Sequence, residues 1–312
     1  VLIEFHRRML ADPIRNLAFR RALEQVIVPG RTTVTDIGAG TGVLGFLARR
    51  LGAREVWLYE AGPALDIADR IAERNGLDGV RLVAAHSLDV DEPERTDIVV
   101  AEVLGNFAYE ENVLETLADA HRFLGPGGTL IPRAMTQHVA PVVSGRFHQD
   151  LTTWDRVESL DLDLADARIA TMNNMYVFAV EPADLLAEPS AAQQWDAVEF
   201  SADIESNRRG AVAWVLSAPA EVYGFALWWE CELVPGVTLT TSPHAPRTHW
   251  DQIYLPLDSP LAGERGDEVS LVIESETGGG EAGINVRWQV EQRRDKARIA
   301  RQAHDLGSGY IG

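Results

Sequence analysis

The stretch VTDIGAGTGVLGFLARRLGAREVWLYEA, Val34 to Ala61, constrains the fold of this chain more than any other. A short apolar run leads into a glycine-rich turn, an amphipathic pattern follows, and a second apolar run ends at Glu60. Strand, turn, helix and strand in that order make a βαβ unit, and its two strands run parallel. Gly38, Gly40 and Gly42 stand between the first strand and the helix. Glycine lets the backbone turn sharply and lets a ligand approach the main chain. A dinucleotide fingerprint would place a further glycine where Val43 stands, so the spacing here is G-x-G-x-G instead. With an acidic residue closing the second strand, the order points to a nucleotide-bearing cofactor.

The rest of the first half repeats this alternation. Strands are predicted at Thr33–Ile37, Val56–Tyr59, Val80–Val83, Ile98–Ala101 and Thr129–Ile131, with helices at Val43–Leu51, Pro63–Asn75 and Glu111–Leu124. The sequence GPGG, Gly125 to Gly128, is expected to stop the last helix. Before them, helical spacing from Glu4 to Val28 is interrupted by Pro13. The fold class is therefore α/β, a doubly wound Rossmann-like sheet. From about residue 133 the pattern changes to strands separated by Gly, Pro, Asp and Ser turns, as in a mainly antiparallel, barrel-like domain. Residues 147–198 read as a helical insertion, and the basic tail EQRRDKARIARQAHDLGSGYIG as helical or loose. The expected domains are 1–132 and 133–312.

Composition excludes several classes. The net charge of −19 opposes a nucleic-acid partner, because phosphate backbones require basic patches. No window approaches the ~20 continuous apolar residues of a membrane span. The single cysteine, Cys231, allows neither an internal disulfide nor a cysteine-based metal cluster. A cytoplasmic setting and no metal are expected. Residues 151–200 carry ten Asp/Glu against two Arg, a field suited to cationic substrates.

Three further stretches narrow the reading. HRRMLADPIR (His6 to Arg15), AEVLGNFAYEE (Ala101 to Glu111) and THW (Thr248 to Trp250) occur in that order around the glycine turn. Together the four motifs resemble those of protein arginine N-methyltransferases, over about residues 5 to 290. The resemblance implies S-adenosylmethionine as cofactor, bound by Arg15, Asp36, Gly38, Gly40, Gly42 and Glu60, with His86 and Ser87 near the adenine. It implies that Glu102 and Glu111 grip the substrate, with Glu110 in reserve, and that His249 pairs with Asp12. Met9 and Trp250 would shape the substrate pocket, and the insertion would be a dimerisation arm, giving a homodimer. The family's aromatic Y-F-x-x-Y segment precedes the histidine matching His6 and is not present in this sequence. Val113 stands where enzymes making asymmetric dimethylarginine often have methionine.

The chemistry accounts for these residue types. A guanidinium stays protonated at neutral pH and its lone pairs are delocalised. Two carboxylates can hold its planar fork and turn one terminal nitrogen toward a methyl donor. A carboxylate beside imidazole favours the charged ring, so Asp12 is expected to raise the His249 pKa. The acceptor is read as arginine in a protein or peptide, with free L-arginine or another small guanidine as the alternative. A catalytically silent cofactor-binding scaffold is a further alternative, which the four paired residues disfavour.

Overall fold

The computed structural model describes residues 3–156, 162–188, 190–277 and 283–309. Two helices open the chain, α1 (Ile3–Leu10) and α2 (Pro13–Val26). Pro13 starts α2 where a missing N–H is harmless. Asp12 caps the helix, its Oδ1 accepting from the backbone N–H of Ile14 at 2.9 Å and of Arg15 at 3.1 Å.

The cofactor-type half is built from β1 (Thr33–Ile37), α3 (Val43–Arg50), β2 (Glu55–Tyr59), α4 (Ala64–Asn75), β3 (Val80–Val83), β4 (Thr96–Ala101), α5 (Val113–Asp119) and β5 (Leu124–Ile131). The strands form one parallel sheet in the order β3-β2-β1-β4-β5. Every residue of β1 is buried, as a central strand covered on both faces requires. The chain reverses direction across the sheet between β1 and β4. Loops leaving these two strands face a crevice at their carboxyl ends, where open sheets of this kind bind ligands.

One boundary differs from the sequence reading. The last helix stops at Asp119, a short 3-10 turn covers Ala120–Phe123, and the GPGG sequence lies within β5. Leu124 pairs with Thr96 but Thr129 pairs with Ile98, so the glycines bulge out of the ladder rather than cap a helix.

The second half begins with β6 (Ala134–Val142), then α6 (Arg146–Leu151), α7 (Ala165–Met172), β7 (Tyr176–Phe178), β8 (Gln193–Glu199), β9 (Asn207–Val215), β10 (Ala220–Val234), β11 (Val237–Thr240), β12 (Gln252–Gly263), β13 (Glu268–Glu276), β14 (Asn285–Arg294) and β15 (Ala297–Asp305). These strands form two antiparallel sheets rather than one continuous barrel. One has the order β7-β12-β10-β6-β8 with β11 on β10, and the other β15-β14-β13-β9. The two sheets share a core: Trp214 stacks on Phe225 at 5.5 Å, and the Trp288 indole donates to the Pro256 carbonyl at 3.0 Å.

The basic tail is not helical. It forms a β14–β15 hairpin whose turn residues Asp295 and Lys296 both have positive φ, the twist that two-residue hairpin turns need. The expected insertion is helical only in α6, α7 and short 3-10 turns. Its last part is β8, paired with β6, and Trp195 and Val198 of that strand are buried in the shared core. Residues 157–161 and 189 of that stretch lie outside the described residues. No described helix is long and apolar enough to cross a membrane. Among the described residues no cluster of metal-ligating side chains occurs.

Candidate active site

A cavity of about 650 Å³ opens where α1, the glycine turn, the loop after β4 and the β11–β12 loop meet. Its size is that of small-molecule sites in general. Met9, Gly38, Gly40, Glu60, His86, Ser87, Glu102, Glu110, Glu111, His249 and Trp250 all line it. Residues far apart in sequence are thus brought to one place.

On one side stands the glycine turn. Gly38 and Gly40 have left-handed φ values of +66° and +54°. A Cβ on Gly40 would meet the His6 ring at 2.7 Å, so α1 lies directly over the turn. Glu60, at the end of β2, is held by two backbone amides. Its Oε2 accepts from Gly40 at 2.8 Å and its Oε1 from Gly62 at 2.6 Å. Each carboxylate oxygen has a second lone pair, so the group is oriented yet still able to accept hydroxyls of a ribose. His86 caps the turn beginning at Ser87, its Nδ1 accepting from Leu88.

Opposite stands the acidic loop. Glu102 follows β4 and is buried. Its Oε2 accepts from the Nε of Arg15 at 2.8 Å and from Nη2 of the same side chain, and its Oε1 from the Leu104 N–H at 3.3 Å. Glu111 sits at the rim in a left-handed conformation (φ 59°), followed by Asn112 at φ 55°. Two consecutive non-glycine residues in that region store strain, which folded chains tolerate chiefly at functional sites. Desolvation in the cavity mouth, and then the negative charge of Glu102, raise the Glu111 pKa. Glu110 is raised by burial, then by Glu111, while its carboxylate accepts from the Phe107 N–H at 3.3 Å. Of the two neighbours, Glu111 is the one that senses Glu102.

This loop is irregular, and the antiparallel domain holds it. The Trp250 indole donates to the Leu104 carbonyl at 2.8 Å, and the Trp229 indole, from β10, to the Gly105 carbonyl at 3.1 Å. The Asp251 N–H donates to Asn106 Oδ1 at 3.0 Å. Three successive loop residues are therefore fixed from across the domain boundary.

His249 is fixed by Asp12, whose Oδ2 accepts from its backbone N–H at 2.8 Å and its Nδ1 at 2.9 Å. A carboxylate can only accept, so Nδ1 carries the hydrogen and Nε2 remains an acceptor. Burial alone would raise the Asp12 pKa, but these bonds and that from Arg15 outweigh it and hold it low. The imidazole behaves differently from the sequence expectation. Burial is its largest influence and lowers its pKa; the Asp12 bond opposes this but does not win. The pair is a carboxylate with a neutral ring, and it ties the start of α2 to the β11–β12 loop.

Four sequence candidates do not line the cavity. Asp12 lies behind His249. Arg15, 4% exposed, is engaged by Glu102 and by Asn16 Oδ1, because a buried guanidinium needs a counter-charge. Asp36 accepts from the Gly45 N–H at 2.8 Å and braces the first turn of α3 from beneath; burial pushes its pKa to about 7. Gly42 caps α3, and a Cβ there would strike Phe46 at 2.6 Å, so close packing is what that position requires. Conversely, Phe5, Arg8, Tyr59, Asn106 and Asp251 line the cavity without having been singled out. Phe5 and Arg8 share the helical face of Met9, a spacing signal that was available. Asn106 and Asp251 meet only through the fold.

Residues 133–292 match the family model described as the arginine methyltransferase oligomerization subdomain, and residues 19–159 match that of ribosomal protein L11 methyltransferase. Protein arginine N-methyltransferase 6 of Xenopus tropicalis is 30% identical over 281 residues, covering 86% of this chain and 82% of its own length. The chain belongs to the protein arginine N-methyltransferase family. An arginine N(omega)-methyltransferase of Streptomyces achromogenes subsp. streptozoticus is also 30% identical, over 275 residues, covering 86% of this chain and 74% of its own. Among solved structures, the Trypanosoma brucei PRMT1 enzyme–prozyme heterotetrameric complex with AdoHcy superposes with a TM-score of 0.85 at 22% identity, covering 97% of this chain and 98% of that one. Arabidopsis thaliana protein arginine methyltransferase 10 gives 0.80 at 20% identity, covering 98% of each chain. At such identities these structures speak for the family's fold.

Proposed function

We propose that this arginine methyltransferase moves a methyl group from S-adenosylmethionine to a terminal guanidino nitrogen of arginine in a protein or peptide. The observation carrying the reading is the convergence of Glu102 and Glu111 on one cavity with the neutral His249 and the glycine turn. Gly38, Gly40, Glu60, His86 and Ser87 would hold the donor. When bound, that donor supplies an electrophilic methyl on a sulfonium.

The chain's own residues do the rest. Glu111, at the rim, meets the incoming guanidinium, and the anchored Glu102 receives its inner edge. Their negative charge stabilises the cation on the side away from the donor and aims one nitrogen inward. After transfer that nitrogen loses a proton, and the Nε2 of a neutral His249 is a suitable acceptor. Asp12 would then favour the imidazolium so formed. The strained backbone at Glu111 keeps the rim carboxylate in place before the acceptor arrives.

The net charge of −19 favours an arginine-rich peptide, since opposite charges raise encounter rates. The Streptomyces relative favours a second reading, free L-arginine. Labelled S-adenosylmethionine offered with L-arginine and with an arginine/glycine-rich peptide separates them. No label in either, with the donor analogue still bound, would count against both.

A homodimer built on the arm of α6, α7 and β7 is part of the proposal. Trp154, Ile169 and Val177 of that segment are exposed, and it falls within the match to the oligomerization subdomain. A monomer mass at micromolar concentration would overturn it. A cytoplasmic location is proposed on the lone buried Cys231.

A further inference from the structure

Trp250, Trp229 and Asp251 fix the acidic loop only from Leu104 to Asn106. Farther along stand Glu111 and Asn112, both left-handed, and neither side chain makes a hydrogen bond among the described residues. Nothing within that pair offsets its strain, so the chain on either side has to.

Two polar clusters flank the pair. Before it comes Tyr109, fully buried against Phe107 and Trp195. The Tyr109 hydroxyl donates to Asp196 Oδ2 on β8 at 2.5 Å. Arg208 of β9 grips the same carboxylate, its Nε donating to Oδ2 at 2.8 Å and its Nη2 to Oδ1 at 2.7 Å. Burial, and then the charge of Asp196, push the Tyr109 pKa up, so the phenol keeps its proton and remains a donor. After the pair comes Glu115, in the first turn of α5. Its Oε1 accepts from the hydroxyls of Ser206 and Thr277, each at 2.6 Å. Ser206 lies just before β9 and Thr277 just after β13, where Asn207 pairs with Glu276.

We propose that Tyr109 and Glu115 are positioning residues for Glu111: the antiparallel sheets grip the chain on both sides of the left-handed pair and so hold the rim carboxylate toward the guanidinium. This rests on the donor–acceptor reading above. Neither Tyr109 nor Glu115 lines the cavity, so both act through the backbone between them. Hydrogen bonds to ionised partners are short and strong, which suits them to hold a strained segment. Released at either end, Glu111 can relax toward the ordinary right-handed region, and its carboxylate moves with it.

A double-mutant cycle tests this. Tyr109→Phe keeps the ring, removes the hydroxyl and leaves Asp196 paired with Arg208. It is made in the wild type and in Glu111→Gln. The rate parameters kcat and KM are measured with whichever guanidine acceptor the wild type labels, and S-adenosylhomocysteine is titrated calorimetrically. In the wild type, kcat/KM for the acceptor should fall roughly tenfold with the Kd for S-adenosylhomocysteine unchanged. In Glu111→Gln the same substitution should lower it less than about twofold, because its effect passes through a group already lost. Thr277→Val, taken through the same cycle, should give a loss of roughly threefold with the same dependence on Glu111. It decides alone if Tyr109→Phe does not fold. Equal losses in both backgrounds, no loss in the wild type, or a matching loss of S-adenosylhomocysteine affinity overturns the proposal. A wild type that labels no guanidine acceptor instead fails the methyltransferase reading, and this proposal with it.

Discussion

The two sides of the cavity are made in different ways. The glycine-turn side comes from one βαβ unit: Gly38, Gly40 and Glu60 lie within 23 residues, and the Glu60 carboxylate is held by amides of that same unit. The acidic side is assembled from α2, the loop after β4 and the β11–β12 loop. Its carbonyls are held by indoles more than a hundred residues away in sequence. Local order is enough to build a turn that cradles a ligand. Placing two carboxylates at a defined separation takes a second domain.

Substitutions at the two glutamates test that contrast most severely. Glu111→Gln removes a rim charge with no structural partner. Turnover should fall by roughly two to three orders of magnitude, with the melting temperature and donor-analogue affinity unchanged. Glu102→Gln should lose turnover as well, but it also leaves the buried Arg15 without its counter-charge. A destabilisation of about 3–5 kcal/mol is expected by denaturant titration. Equal stability of the two variants would mean that the Arg15–Glu102 pair is not what anchors the loop.

Next in size is the link between domains. Trp229→Phe keeps an aromatic ring in the core but removes the N–H that satisfies the Gly105 carbonyl. It should lower kcat by about tenfold and stability by about 1–3 kcal/mol, leaving donor-analogue affinity intact. A loss confined to donor affinity would reverse the assignment of the two sides.

The smallest effect is on the glycine-turn side. Asp36, with a pKa raised to about 7 by burial, has its proton in the folded state at a pH where the unfolded chain has lost it. The associated stability is complete below the ordinary aspartate pKa and is lost as pH rises through about 7. Asp36→Asn can still accept from Gly45 and should flatten that dependence. Thermal melts at pH 5.5 and 8.5 should show wild type losing stability between them relative to the variant. Activity follows a separate limb: it falls as pH drops through the raised Glu111 pKa, while burial, which lowers the His249 pKa, keeps that ring neutral at pH 7.

Much of this was legible before any coordinates. The five strands of the parallel sheet, the turn after the first of them and the four motifs could be read because strand runs, caps and glycine turns are written in neighbouring residues. Pro13 was read as an interruption and proved a helix start, since Asp12 beside it supplies the cap. The GPGG stretch misled because glycine and proline mark a bulge as readily as a helix end. The tail misled because its charges mask a strand alternation that matters only once β14 lies beside it.

By itself, then, the sequence determined the fold class, the cofactor-type turn and which residue types meet at the site. Tertiary structure alone decided that Arg15 is held by Glu102, that the charge of Glu102 reaches Glu111, and that His249 stays neutral despite Asp12. The physical reason is the same in each case. Hydrogen-bond partners, counter-charges and desolvation depend on what lies across space, and no spacing along the chain records that.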